Sequence, residues 1–260
     1  MAQNTLTTQS PPEDEAAMTL IDHLKELRTR LVRAAIGVLL GMGVGVFLVL
    51  GPLQLVDIII RTFAPINENY APVQAVGTTE QFTSYMSVAL VVGVILAMPV
   101  LVYQLLAFIV PGLTDRERKL VFVSLPFVTF FFLGGIAFGW FITVPAAIQF
   151  LVGGFSQTEL VQNQPSLSDF LGTVTTLLLI NGVVFQLPII IYVLAFIGVV
   201  TAQQLGSYRR YALVAVVIIA AVITPTGDPV NLLLLAIPMY MLYELGIVLA
   251  RFVPKRQPIH

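Results

Sequence analysis

The sequence predicts an all-α polytopic membrane protein with six transmembrane helices and both termini in the cytoplasm. Three observations carry that prediction. Of the 260 residues, 57% are hydrophobic and only 10% charged, against about a quarter charged in a soluble domain. Mean hydropathy is +0.92, so water is not the solvent for most of the surface. The apolar residues gather into charge-free runs, most of them long enough to cross a hydrocarbon core of ~30 Å. Finally, the basic residues take sides between those runs. Lys25, Arg28, Arg30, Arg33, Arg116, Arg118, Lys119, Arg209, Arg210, Arg251, Lys255 and Arg256 share one side, and only Arg61 stands on the other. The positive-inside rule makes the crowded side cytoplasmic.

Taken in order, residues 1–18 are polar and acidic and lack the basic start and small-residue cleavage site of a signal peptide, so they read as a disordered tail. A single transmembrane domain follows over 19–251. Thr19 with Asp22 three residues on fits a capping pair. Leu20, Leu24, Leu27 and Leu31 then form an apolar stripe at helical spacing, continuous with a first span at 34–50. In 51–84, Pro52 suits a first helical turn, and Val56, Ile59, Ile60 and Phe63 share one face with Asp57 and Arg61 opposite. That pattern predicts a short interfacial helix within an outer cap. Spans two, three and four fall at 85–110, 120–145 and 170–200, with a second outer cap at 146–169. The last two, 211–224 and 230–243, are joined by the turn TPTGDP. At ~21 Å each they are short for the bilayer core, which predicts a stunted hairpin and a thinned membrane beside it. Residues 252–260 form a cytoplasmic tail.

Gly37, Gly41 and Gly45 repeat every fourth residue inside the first span. This is a small-residue packing face rather than a nucleotide loop, and Gly135 and Gly139 in the third span read the same way. No P-loop, HExxH or GxSxG motif occurs, and with no cysteine and only His23 and His260 as imidazoles, neither an enzyme nor a metal or other cofactor site is expected. Nor is a nucleic-acid partner. The polar residues inside spans are Gln104, Asn181, Gln186 and Glu244. Gln186, two residues before Pro188, reads either as a hydrogen bond within the bundle or as a docking point for another protein's helix. Glu244 reads as snorkelling or pairing with a neighbouring base. Two acids stand out among the bases, Glu26 in the first basic segment and Glu117 in the next. For each, an exposed ion pair worth little competes with a binding role.

HLKELRTRLVRA, MPVLVYQLLAFIVPGLTDRERK, GVVFQLPI, the TP–D turn at Thr224 to Asp228 and LAIPMYMLYELG together resemble TatC, the core subunit of the twin-arginine protein translocase. The resemblance runs from about Leu20 to Arg251. It implies a concave, glove-like wall of six helices, with helices five and six short. It also implies a receptor for signal peptides of folded proteins bound for export across the inner cell membrane, driven by the proton motive force. Glu26 and Glu117 match the family's two glutamates for the arginine pair, and Phe108 its phenylalanine at the end of span two. Arg28, Arg30 and Arg118 match basic residues of the same surface, and Leu24 is counted with them. The family's partners are TatA- and TatB-type single-span subunits in a multimeric complex, docking near span five and a polar residue of span four. Here that residue is Gln186 where familiar members carry glutamate. Asp228 and Glu244 are further candidates for structural or functional roles. The competing class, a small-solute or ion secondary transporter, calls for inverted repeats and charged midplane sites, and the sequence shows neither.

Overall fold

A computed structural model of the chain describes residues 20–64, 73–109, 115–153, 165–224 and 229–253. Helix α1 (Leu20–Leu50) is followed by α2 (Leu55–Phe63), α3 (Glu80–Ile109) and α4 (Asp115–Phe138). A π-helical turn at Gly139–Thr143 leads into α5 (Val144–Gly153). Then come α6 (Leu167–Val184), α7 (Leu187–Phe196), α8 (Ala202–Ser207), α9 (Arg209–Ile223) and α10 (Pro229–Arg251). Among the described residues, five helical rods are long and apolar enough to cross a membrane, beginning at His23, Glu80, Leu125, Leu167 and Leu232. The remaining expected span, the fifth at 211–224, corresponds to α9, whose 15 residues reach ~22 Å.

Helices α3, α4 and α6 pack on one another, with α1 added on the α3 side and α9 on the α10 side. Helix α1 packs chiefly on α3, α3 and α4 on α6, α7 on α10, and α9 chiefly on α10. What lets α1 and α3 approach is glycine. A Cβ on Gly41 would run into the carbonyl oxygen of Gly93, one on Gly45 into that of Ala89, and one on Gly37 would sit 3.1 Å from Val100 Cγ1. Gly43, on the opposite face, has nothing within 4 Å. In the same way Gly135 lies against the backbone of Asn181 and Gly182. Apolar attraction cannot drive helices together in lipid, so such close backbone packing holds them. The packing faces expected for Gly37, Gly41, Gly45, Gly135 and Gly139 are present.

Three expectations need correcting. Helix five is short, but α10 is not: its 23 residues span ~34 Å. Glu244 ended the apolar run in the sequence, yet the helix continues through it, its carboxylate paired with a base on α9. The third span does not stop at Pro145. The π turn before α5 relaxes the local hydrogen-bond register, so a proline that lacks an N–H can sit in the first turn that follows, and the rod runs on to Gly153. Third, α2 starts at Leu55, with Gln54 in a left-handed conformation (φ 45°), so Pro52 belongs to the preceding turn. The face of α2 that buries Val56, Ile59 and Phe63 joins Ala147, Ile148 and Phe170 in one buried cluster, and is therefore a protein core rather than a lipid contact.

The two segments expected as separate outer caps are stitched together. Gln74 pairs with the other segment through Leu167 N to Gln74 O (2.9 Å) and Gln74 N to Pro165 O (3.3 Å). The Glu80 carboxylate accepts hydrogen bonds from the N–H groups of Val76, Gly77 and Ser168 and from the Ser168 hydroxyl. Four donors on one carboxylate fix the start of α3 to the start of α6. Glu80→Ala is expected to raise amide hydrogen exchange several-fold at 73–79 and at Ser168 while leaving α10 unchanged, by local opening. Unchanged exchange at 73–79 would show that the cap is held by its backbone pairing alone.

Candidate functional site

The candidate site residues of α1 follow from its helical period. Glu26 and Arg30 are four residues apart, so their side chains meet on one face. Arg30 Nη2 donates to Glu26 Oε1 at 3.1 Å, with both side chains about one-fifth exposed. That face is turned to α3, where Arg30 Nη1 also donates to Gln104 Oε1 at 3.4 Å. One guanidinium thus bridges a carboxylate on its own helix and an amide on the next. One turn beyond Gln104, Phe108 stacks on His23, ring centroids 4.4 Å apart and planes 25° off parallel. Glu26 is therefore bracketed by His23 and Arg30 along α1, and Gln104 and Phe108 bracket the facing stretch of α3.

The second oxygen of Glu26 is unusual. Oε2 is buried, and it meets no hydrogen-bond donor among the described residues. A buried carboxylate oxygen without a donor carries a desolvation penalty, and a second donor arriving there would relieve it. Leu24 and Arg28 are exposed beside this face. Glu117 and Arg118 occupy the first turn of α4, while their side chains and the whole of Asp228 fall outside the described residues. The structure brings together Glu26, Arg30 and Phe108 of the expected set. It adds His23 and Gln104, which the sequence marked only as an imidazole and as a polar residue within a span. The available signal was spacing: His23 lies three residues before Glu26, and Gln104 four before Phe108, on the same helix faces.

The other candidates lie away from this cluster. Gln186 is buried, 6% exposed, at the break between α6 and α7, and its Nε2 donates to the Val128 carbonyl of α4 at 3.0 Å. Of the two readings, the structure displays the bond within the bundle, with its acceptor on α4. Glu244 accepts from Arg209 Nε at 2.7 Å and Nη2 at 2.8 Å, a forked pair, and from the Tyr240 hydroxyl at 3.1 Å. Its neighbouring base is Arg209 on α9. Tyr243 completes the clasp by donating to Leu205 O of α8 at 2.8 Å. Among the described residues no group of His, Asp or Glu is placed to hold a metal ion.

An acid held beside a base at one end of an apolar wall is common to many membrane proteins. Relatives decide the family. The profile of TatC, the Sec-independent protein translocase protein, matches residues 22–238. The chain is 38% identical over 256 residues to the Sec-independent protein translocase protein TatC of Deinococcus radiodurans, covering 96% of this chain and 91% of that one.

The chain belongs to the TatC family.

The protein of the same name from Aquifex aeolicus is 33% identical over 243 residues, covering 92% of this chain and 98% of that one. A crystal structure of the twin-arginine translocase receptor TatC superposes with a TM-score of 0.74 at 32% identity, covering 90% of this chain and all of the other. A second crystal structure of that receptor, in DDM, gives 0.75 at 32% identity over 88% of this chain. The all-α architecture is thus the TatC fold, and the chain is a membrane protein of a protein translocase family rather than an enzyme.

Proposed function

We propose that this TatC chain is the receptor that binds twin-arginine signal peptides at the cytoplasmic face of the inner cell membrane. Both termini lie on that side, and the chain scaffolds assembly of a multimeric translocation complex driven by the proton motive force. The observation that carries the reading is the Glu26 carboxylate, with one oxygen held by Arg30 and the other buried without a donor among the described residues. Guanidinium and carboxylate meet as a planar, forked pair that an ammonium cannot reproduce. A site of this kind prefers arginine to lysine. Glu117 supplies the second carboxylate, Phe108 and Leu24 the apolar contact, and Arg28, Arg30 and Arg118 repel cations that cannot pair with the carboxylates. Two charged hydrogen-bonded contacts supply ~3–6 kcal/mol, short of the ~8 kcal/mol of micromolar binding. The apolar segment of the signal therefore binds as well, along the exposed wall of the spans.

TatA- and TatB-type single-span subunits are the partners, docking on the face of α9 that leaves Tyr211, Val214, Ile218 and Val222 exposed. Gln186, buried and bonded to α4, supports that docking by fixing the α6–α7 break rather than by direct contact. The test is binding of an Arg-Arg signal peptide and its Lys-Lys twin to the full chain in nanodiscs. Arg-Arg is expected to bind about tenfold or more tightly than Lys-Lys, and Glu26→Gln with Glu117→Gln to erase that preference. Equal binding of both peptides by parent and variants would overturn the reading.

A further inference from the structure

The Arg30 guanidinium is shared between two acceptors on different helices, Glu26 Oε1 at 3.1 Å and Gln104 Oε1 at 3.4 Å, while Glu26 Oε2 is buried and meets no donor among the described residues. A guanidinium arriving from a peptide needs both carboxylate oxygens to form its forked pair, and one of them already carries Arg30. We propose that Arg30 is a latch on Glu26 and that Gln104 is the positioning residue that receives it. In the resting chain Arg30 occupies one oxygen in place of a signal arginine. On docking, the incoming guanidinium takes both oxygens, and Arg30 moves fully onto Gln104. The inference rests on the reading of Glu26 as a signal-peptide ligand and assigns a role within that site to Gln104, which the sequence showed only as a polar residue within a span.

The chemistry favours transfer over simple displacement. A guanidinium expelled from a carboxylate inside a half-buried site leaves uncompensated donors unless an acceptor is within reach. Gln104 is that acceptor, on the facing helix and already in contact. An ammonium, a compact charge with no fork, does not span both oxygens and so does not need Arg30 to move. The latch therefore acts on the arginine peptide and leaves the lysine peptide alone. This makes the ratio of the two affinities its specific readout, since a general loss of stability or a change in field shifts both peptides together.

The experiment uses the full chain in nanodiscs with the Arg-Arg and Lys-Lys peptides. Gln104→Met keeps the shape and removes the acceptor, and it is expected to lower the Arg-Arg to Lys-Lys affinity ratio about fivefold, the size of one hydrogen bond. Gln104→Glu, which draws Arg30 more strongly, is expected to raise it. In an Arg30→Gln background the same two changes at position 104 are expected to leave the ratio where it stands, because no latch remains to receive. If the ratio in the parent depends on Glu26 but ignores position 104, or if position 104 acts equally with and without Arg30, the latch is wrong and the receptor reading survives. If the ratio does not depend on Glu26 at all, both fall.

Discussion

Gly41→Leu is expected to destabilise the protein by about 3 kcal/mol or more, the cost of forcing a branched side chain into a packed contact with no room to yield. The reason is backbone rather than side-chain contact. A Cβ at Gly41 meets the carbonyl oxygen of Gly93 on α3, and the neighbouring turn repeats the arrangement with Gly45 and Ala89. Backbone cannot rotate out of the way, so α1 must tilt or lift. Helix α1 has no other substantial neighbour among the spans, and its opposite side exposes Leu39, Leu40 and Phe47. Once parted from α3, what remains among the described residues is chiefly its end near Val49 and α2. The effect travels to the site as well. Glu26 lies ~22 Å along the same helix, and its companions Gln104 and Phe108 are on α3, so peptide binding is expected to fall with stability. Gly43→Leu is the control, since nothing lies within 4 Å of a Cβ there, and it is expected to stay within ~0.5 kcal/mol of the parent. Thermal unfolding of the purified chain in one detergent compares the three. Equal melting of Gly41→Leu and parent would show that α1 is held by something other than its glycine face.

Arg209→Glu is expected to loosen α9 from the rest of the wall, raising its amide hydrogen exchange about tenfold or more, while the double exchange Arg209→Glu with Glu244→Arg restores most of the protection. The forked pair at 2.7 and 2.8 Å joins the first residue of α9 to α10. Its side chains are 45% and 31% exposed, so water and salt weaken it. What gives it weight is where it sits. Helix α9 packs chiefly on α10, burying only Val216 and Ala220, and the reversal places two carboxylates face to face at that contact. Because the exposed face of α9 is the proposed seat of the single-span partners, loss of their co-purification is expected alongside. Unaltered exchange in the single variant would mean that the apolar contact of Val216 and Ala220 suffices by itself.

Much of the architecture was legible in the sequence because it is written in local patterns. Charge-free runs gave the first four rods, a four-residue glycine repeat gave the face joining α1 to α3, and Val56, Ile59 and Phe63 gave α2. Where a pattern was read as a boundary, it misled. Glu244 looked like the end of a span because a lone acid in a helix is costly in lipid, and its partner stands 35 residues away in the chain. Pro145 closed the third span read from the sequence, whereas the rod runs on past it through a π turn. The site was half legible. Glu26, Arg30 and Phe108 came from the motif, whereas Gln104 was noted only as a polar residue in a span and His23 only as an imidazole.

By itself the sequence determined that this is a helical membrane protein of the TatC family, which helices are glycine-faced, and which acids stand among the bases. These follow from composition and from spacings within a few turns, where each residue's neighbours are fixed by the helix itself. The tertiary structure alone decided that Arg30 is shared with Gln104, 74 residues away. It also decided that Glu80 fastens one cap to the other through Ser168, 88 residues away, and that Arg209 is the base paired with Glu244 of α10. A hydrogen bond needs its donor within about 3 Å of its acceptor, and between residues this far apart in the chain only the packing of whole helices sets that distance.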